Sequence, residues 1–162
     1  GAYDKLGFDF TREDWNAVSE EFHREYLEEA RGSLLRVGVR EVLDGLRAAG
    51  VRQAVLSASE LNILRRMIDE RGVGPYFEAI YGLDDLHARS KVGLGRELMR
   101  ELGAPAERVV LIGDTEHDFE VAEALGCACI LMQGGHQSLE RLNGCGCPVV
   151  WDPEALKRLL IS

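Results

Sequence analysis

Two carboxylates stand close together after the apolar run at residues 109–112. Asp114 and Asp118 lie four positions apart in the stretch VLIGDTEHD, where a glycine ends the run. One acid at the end of a strand and another in the first turn of the next helix would converge on a volume the size of a hydrated cation. Hard oxygen ligands in this small number suit Mg²⁺, which usually keeps water and a substrate phosphate in its shell.

Each of these acids also has a purely structural interpretation. Asp114 has the residue type of a helix N-cap, and Asp118 is a first-turn acid that the helix dipole would stabilise. This stretch alone does not decide between a metal site and a helix start. The structural interpretation loses weight when other strand ends carry matching groups, because an N-cap needs no serine or lysine from elsewhere in the chain.

Two further strand ends carry such groups. Ser57 follows the apolar run AVL and is followed by Ala58, and Lys91 comes after another brief predicted strand. In an open parallel sheet, ligands bind beyond the carboxyl ends of the strands, so we expect a hydroxyl, an ammonium and carboxylates to share one edge. Taken singly, Ser57 could cap the following helix, and Lys91 has the character of a solvated surface lysine.

Alternating strands and helices predict how these groups are positioned. Short apolar runs predict strands at 53–57, 79–81, 108–112, 127–132 and 148–150. Helical periodicity predicts helices at 12–30, 39–49, 60–71, 91–102, 119–125 and from 153 onward. Parallel neighbours need crossovers, so the expected fold is α/β: a three-layer Rossmann-like parallel sheet with helices on both faces. Residues 1–35 are expected to form a separate helical lobe, and residues 36–162 the core.

The composition excludes several classes of function. The 162 residues carry 28 acidic and 19 basic side chains, and the basic ones are scattered, which argues against a nucleic-acid surface. No apolar stretch approaches the roughly 20 residues that cross a bilayer, and no signal-peptide pattern opens the chain. We therefore expect a cytoplasmic protein with no membrane or nucleic-acid partner.

Four cysteines form two Cys-x-Cys pairs, Cys127 with Cys129 and Cys145 with Cys147. A four-thiolate zinc site is one hypothesis, but the spacing differs from that of the common zinc knuckle. Cys127 and Cys129 open the apolar run CACILM, where alternate residues share one face of a strand. The sequence favours buried or incidental reduced thiols.

Three histidines lie near the predicted site in sequence or fold. His23 falls in the first predicted helix, His117 lies between the two acids, and His136 follows a predicted strand. Each also has a plain interpretation as a solvated, packing or turn residue. Neighbours in a helix point apart, so His117 is not expected to share the direction of Asp118.

Together these motifs resemble the haloacid dehalogenase-like superfamily, in particular its phosphoglycolate-phosphatase-like branch. VLSAS at 55–59 matches the second family motif, Lys91 in HARSKVGLG the third, and LIGDTEHD the fourth. The resemblance implies Mg²⁺-dependent hydrolysis of a small phosphorylated metabolite through an aspartyl-phosphate. It implies that Ser57 and the backbone N–H of Ala58 bind the phosphoryl group and that Lys91 holds nucleophile and phosphate. Asp114 and Asp118 would hold Mg²⁺, directly or through water.

One part of the family pattern has no match. The first motif, a hydrophobic strand ending in Asp-x-Asp-Gly-Thr, carries the nucleophile; the nearest stretch here is GFDFTRE, with Asp9 and Thr11. Only three residues before it suit a strand, and Thr11 better suits a helix cap. Residues 1–35 instead resemble the last part of a helical cap. Without its first strand the family sheet would have two unpaired apolar edges at its centre.

Three explanations of this gap remain open. The favoured one is that the chain is a piece of a longer phosphatase. Alternatively, the gap is closed by rearrangement or by another copy of the chain, which gives a reason to expect self-association, or the protein is a natural non-catalytic relative. We accordingly expect a phosphatase that is inactive without its nucleophile motif, with a non-catalytic binding or assembly module as the alternative.

Overall fold

The chain folds around one six-stranded sheet. The computed structural model describes residues 16–19, 38–83, 90–133 and 138–161. Neighbouring strands are parallel throughout, in the order β3-β2-β1-β4-β5-β6, which confirms the predicted α/β fold class. The strands are β1 (Asn16–Ser19), β2 (Gln53–Glu60), β3 (Ala79–Leu83), β4 (Val109–Gly113), β5 (Ala128–Met132) and β6 (Val149–Val150).

Helices connect the strands, as parallel pairing requires. They are α1 (Val39–Ala48), α2 (Leu61–Glu70), α3 (Lys91–Leu102), α4 (Glu116–Leu125), α5 (Leu139–Asn143) and α6 (Pro153–Ile161). The helices predicted at 39–49, 60–71 and 91–102 agree with α1, α2 and α3 to within one residue at each end. α4 begins three residues before its predicted start, and α5 was not predicted. Among the described helices, none combines the length and the apolar character that a membrane span needs.

Alternation along β4 shows how the sheet is covered on both faces. Val109 and Leu111 pack in one hydrophobic cluster with residues of α3 and α4. Val110 and Ile112 pack in another cluster with residues of α1 and α6. α2 joins α1 on that second side, where Leu64 and Ile68 are fully buried. A strand buried on both faces reads as a continuous apolar run, and this is why β4 is recognisable in the sequence.

The strand β1 corrects two expectations. The helix predicted over 12–30 is wrong at Asn16–Ser19, which forms a strand; the rest of that range lies outside the described residues. The core was expected to lack its first strand, but β1 lies between β2 and β4 and pairs with both, Val18 standing opposite Ala54 and Leu111. This sheet agrees with closure of the gap by rearrangement, and it is equally compatible with a chain that is a piece of a longer phosphatase.

The physical reason lies in the neighbouring strands. Without β1, β2 and β4 would expose their backbone N–H and C=O groups in the middle of the sheet, which costs free energy for every unpaired group. Pairing with both strands outweighs a helical preference that was based on the spacing of a few apolar side chains. Both inner edges are paired in this sheet, and self-association stays a prediction. The division into a lobe at 1–35 and a core at 36–162 otherwise stays a prediction.

Candidate phosphate and magnesium site

Ser57 lies in the second half of β2, at the point where the strand becomes irregular. Its side chain is fully buried, and its Oγ atom accepts a hydrogen bond from the backbone N–H of Ser59 at 3.0 Å. The pairing of β2 with β3 shifts register between Leu56 and Glu60. This local turn of the backbone leaves Ala58 exposed while Ser57 and Ser59 stay buried.

Ser57 is not the cap of the following helix. The N-cap of α2 is Glu60, whose carboxylate accepts hydrogen bonds from the backbone N–H groups of Asn62 and Ile63 at 3.0 and 2.9 Å. These bonds lower the pKa of Glu60 because they stabilise its ionised form. The alternative prediction that Ser57 caps this helix is therefore wrong.

Lys91 is the first residue of α3, and its side chain turns into the protein. The helix is capped by Ser90, whose Oγ atom accepts a hydrogen bond from the N–H of Gly93 at 3.1 Å. Only 6% of the Lys91 side chain is exposed, and its Nζ atom donates to Oδ1 of Asp118 at 2.8 Å. Lys91 is thus a buried, ion-paired lysine and not a solvated one.

Asp118 is the centre of a hydrogen-bond network. Its other oxygen, Oδ2, accepts from the backbone N–H of Asp114, from the N–H of Thr115 and from the Thr115 hydroxyl, each at 3.0 Å. The side chain is completely buried. With Lys91 on Oδ1, both carboxylate oxygens have donors, and the buried negative charge is compensated as burial requires.

This network also starts α4. Thr115, and not Asp114, is the N-cap, because its side chain accepts a hydrogen bond from the N–H of Asp118 at 3.2 Å. Asp118 returns a bond to the N–H of Thr115, which completes a capping box. The N-cap interpretation of Asp114 is therefore wrong, whereas the first-turn interpretation of Asp118 describes the observed geometry. The network fixes the backbone at Asp114 and Thr115, directly after β4.

Asp114 directly follows β4 and is half-buried. Its Oδ1 atom is buried and accepts no hydrogen bond from the described residues. Within the same residues, no three His, Cys, Asp or Glu side chains gather as a metal-binding group. The donor set suits a cation that takes few protein ligands, and Mg²⁺ is commonly held by one or two carboxylates together with substrate phosphate. Asp114 fits that role better than Asp118, whose oxygens are already occupied.

Two glycines permit the close packing behind the site. A Cβ atom on Gly113 would lie 2.5 Å from Cγ of Asp118, so only glycine lets this carboxylate lie against the end of β4. A Cβ atom on Gly95 of α3 would lie 2.7 Å from Cδ1 of Leu125 of α4. Because Gly95 lets α3 approach α4 closely, it helps to hold Lys91 within reach of Asp118.

The carboxyl ends of β2 and β4 bring the predicted groups to one edge. Both strands flank β1, so Ser57 and Asp114 are expected about 10 Å apart, twice the usual spacing of strands. Lys91 and Asp118 are in direct contact, and the backbone of Asp114 belongs to the same network. The supporting roles of Thr115, Gly113 and Gly95 were missed, although Thr-x-x-Asp is a recognisable capping-box signature.

Among the described residues, no histidine takes part in the hydrogen-bond network around Asp118. His117 is exposed, and its Nδ1 atom lies 3.5 Å from Oε2 of Glu120, on the surface of α4. His23 and His136 lie outside the described residues. Asp9 and Thr11, the nearest match to the first family motif, also lie outside them.

The family is decided by comparison with known proteins. A family model described as "Haloacid dehalogenase-like hydrolase" matches residues 3–132. The chain belongs to this family. The match spans all three motifs quoted above, so the resemblance seen in the sequence is confirmed.

The similar proteins include a phosphatase and a kinase. Phosphoglycolate phosphatase of Pseudomonas syringae pv. syringae is 29% identical over 118 residues, which are 72% of this chain and 43% of that protein. Tyrosine-protein kinase PtkA of Mycobacterium tuberculosis is 33% identical over 100 residues, 61% of this chain and 34% of that protein. The chain thus spans less than half the length of these relatives. A crystal structure of a predicted phosphatase from Clostridium acetobutylicum has a TM-score of 0.73 at 23% identity, covering 83% of this chain and 64% of that one, and supports the fold.

Proposed function

We propose that this chain supplies the phosphate-binding and magnesium-binding part of a phosphatase that hydrolyses a small organic phosphomonoester. The observation that carries the proposal is the buried ion pair between Lys91 and Asp118 at the carboxyl edge of the sheet. A buried lysine on a carboxylate is costly to build and adds little net stability compared with apolar side chains. Because the pair lies next to Asp114 at the end of β4, Lys91 would serve as a fixed positive group beside a bound anion.

The proposed roles follow from the contacts. Lys91 is held in position by Asp118 and would neutralise charge on the phosphoryl oxygens. Ser57 would donate its hydroxyl hydrogen to the phosphoryl group, and the backbone N–H of Ala58, next to the irregular end of β2, would donate a second bond. Asp114 would hold Mg²⁺, which when bound would offset the charge of the transferring phosphoryl group.

Asp118 would act on the reaction through other residues. Its oxygens bind Lys91, the backbone at Asp114 and Thr115, so it fixes both the ammonium and the metal-binding carboxylate. This arrangement is preorganised, because the donors and acceptors already have their positions before any substrate binds. In this assignment Asp118 is a positioning residue, and its part in holding Mg²⁺ would be indirect.

Support for a phosphatase also comes from relatives. The family description is a hydrolase, and the phosphoglycolate phosphatase of Pseudomonas syringae is similar over most of this chain. The chain covers only part of that protein, and a shared fold does not transfer a substrate, so the proposal names a class of substrate alone. The family reaction uses an aspartate nucleophile, and the sequence of this chain contains no match to the motif that carries it.

The test is hydrolysis of p-nitrophenyl phosphate by the full-length gene product, with and without Mg²⁺. We expect hydrolysis that depends on Mg²⁺, and we expect Asp114→Asn to reduce it by about 10²-fold or more, a loss typical of removing one preorganised charged contact. Asp69→Asn makes the same chemical change on an exposed residue at the end of α2 and should leave the rate unchanged.

The result also separates the two functions expected from the sequence. Hydrolysis that is unaffected by Asp114→Asn would contradict the proposed site. If the full-length protein binds Mg²⁺ and phosphate but hydrolyses no phosphate ester, the proposed enzyme is wrong and a non-catalytic binding module is the better account.

A further inference from the structure

The two Cys-x-Cys pairs come together in one hydrophobic cluster on one side of the sheet. Cys129 is buried in β5, and Cys147 is half-buried two residues before β6. Both pack in the hydrophobic cluster that covers the α3 and α4 face of the sheet. All four cysteines are free thiols in this structure.

The register of β5 and β6 and the contact between the two thiols bring Cys129 close to Cys147. Leu131 stands opposite Val149, and Met132 stands opposite Val150, in the parallel pairing of β5 with β6. Extending this register two residues back, beyond the start of β6, would bring Cys129 level with Cys147, on the face that Leu131 and Val149 share. Neighbouring strands are about 4.8 Å apart, and disulfides join Cα atoms separated by about 4.4 to 6.8 Å.

The two thiols interact directly and unequally. The hydrogen bond between Cys129 and Cys147 raises the pKa of the Cys129 thiol well above its usual range, with burial as the second cause. The same bond lowers the pKa of the Cys147 thiol, because Cys129 donates to the Cys147 thiolate. Cys147 is also the more exposed of the two. A thiolate that is partly exposed is the usual attacking group in thiol–disulfide exchange.

We propose that Cys129 and Cys147 form a redox-active thiol pair, which a small disulfide oxidant such as glutathione disulfide closes to a reversible protein disulfide. The inference is independent of the phosphatase proposal. It treats the cysteines as a modification site and not as incidental thiols.

The exchange balances in two steps. The Cys147 thiolate attacks one sulfur of glutathione disulfide, the S–S bond of the oxidant breaks, and one glutathione thiolate leaves and takes a proton from water. The Cys129 thiol then loses its proton to solvent and attacks Sγ of Cys147, which releases the second glutathione. The second glutathione leaves as a thiolate and takes a proton from water. Counted from two neutral thiols, the protein loses two electrons and two protons in total, and the oxidant is reduced to two glutathione molecules.

Closing this bond would tie the centre of β5 to the segment that leads into β6. β6 is only two residues long, so a covalent link adds to a short pairing. The link closes a loop and lowers the conformational entropy of the unfolded chain, which raises the stability of the oxidised form. β5 also pairs with β4, Cys129 standing opposite Leu111, two residues before Gly113.

The experiment uses the whole chain, equilibrated with glutathione disulfide, alkylated and digested with trypsin without reduction. No Lys or Arg lies between residues 109 and 140, so Cys129 falls in tryptic peptide 109–141 and Cys147 falls in peptide 142–157. The proposal predicts that these two peptides appear joined and that dithiothreitol separates them. The melting temperature should rise on oxidation and fall back on reduction.

Two variants make the assignment specific. Cys145→Ser should keep the joined peptides, whereas Cys147→Ser should lose both the joined peptides and the rise in melting temperature. Carrying Cys127→Ala and Cys145→Ser together leaves only the proposed pair and should still give the disulfide. A disulfide between Cys145 and Cys147, which stays within one peptide, would overturn the proposal. So would stable glutathionylation of Cys147, or a folded chain with Cys147 unmodified.

Discussion

The buried pair of Lys91 and Asp118 leads to a prediction that separates two roles for neighbouring acids. Asp118→Asn keeps the size of the side chain and one acceptor oxygen, but it removes the charge that compensates a lysine with only 6% of its side chain exposed. Breaking a buried ion pair from one side typically costs about 3 to 5 kcal/mol. The remaining oxygen of asparagine can still accept from backbone N–H groups, so we expect about 3 kcal/mol of lost stability.

Asp114→Asn is the matched comparison. Asp114 lies four residues away, is half-buried, and forms no part of the capping box. Removing its charge should change the free energy of unfolding by less than about 1 kcal/mol. Since Asp114 is the proposed magnesium ligand, Asp114→Asn should abolish the dependence of hydrolysis on Mg²⁺. The two substitutions should therefore change different properties. Asp118→Asn should mainly lower stability, and Asp114→Asn should mainly weaken Mg²⁺ binding.

Urea unfolding followed by circular dichroism measures the difference. A loss of about 3 kcal/mol corresponds to roughly 6 to 12 °C in melting temperature for a chain of this size. Lys91→Met combined with Asp118→Asn should recover part of the loss, because the lysine is then no longer buried without its charge partner. Equal stability of the Asp114 and Asp118 variants would refute the assignment of Asp118 as the organising residue.

Three further changes have defined outcomes. Gly113→Ala should cost about 2 to 3 kcal/mol, since its methyl group would meet Asp118 at 2.5 Å, a case of overpacking against a fixed group. Glu78 forms a two-point ion pair with Arg52, which lowers the pKa of Glu78 from its ordinary 4.5. Glu78→Gln should therefore cost about 0.5 kcal/mol near pH 7. The cost should begin to fall near pH 4.5 and vanish once the pH is below the lowered pKa of Glu78 in the folded protein, where the carboxyl group is protonated in both states. Burial raises the pKa of Cys127 to about 12, so iodoacetamide should label it only after unfolding.

Each of these has a clear control. Gly74→Ala places a methyl group at ordinary contact distance from Asp69 and should change stability by less than about 0.5 kcal/mol, so equal losses at Gly74 and Gly113 would contradict the packing argument. A cost of Glu78→Gln that persists at pH 3 would show that the ion pair is not its cause. Labelling of Cys127 at the same rate with and without urea would show that the thiol is not protected.

Much of the sheet could be predicted because its strands are buried on both faces. β4 and β5 are continuous apolar runs, and α3 begins at Lys91 and ends before Gly103, as its helical period and glycine stop signal indicate. The ends of these elements then predict that Ser57, Lys91 and Asp114 share one edge.

β1 could not be predicted in the same way. Its four residues, NAVS, contain little apolar surface, and Val18 fits a helical spacing with Trp15 and Phe22. A segment like this forms a strand because its neighbours need partners, and that requirement is invisible in the local sequence. The division of labour between Asp114 and Asp118 was missed for a related reason. Spacing predicts that two acids lie near each other. It does not show which of them accepts hydrogen bonds from backbone N–H groups and a lysine.

The most direct test of the account is a crystal structure of the chain soaked with Mg²⁺ and tungstate, a heavy mimic of phosphate. The account predicts anomalous tungsten density between Ser57, Ala58 and Lys91, with Mg²⁺ on the carboxylate of Asp114 and the contact between Lys91 and Asp118 intact. Tungstate and Mg²⁺ bound away from this edge of the sheet, or a Lys91 side chain directed into solvent, would contradict it.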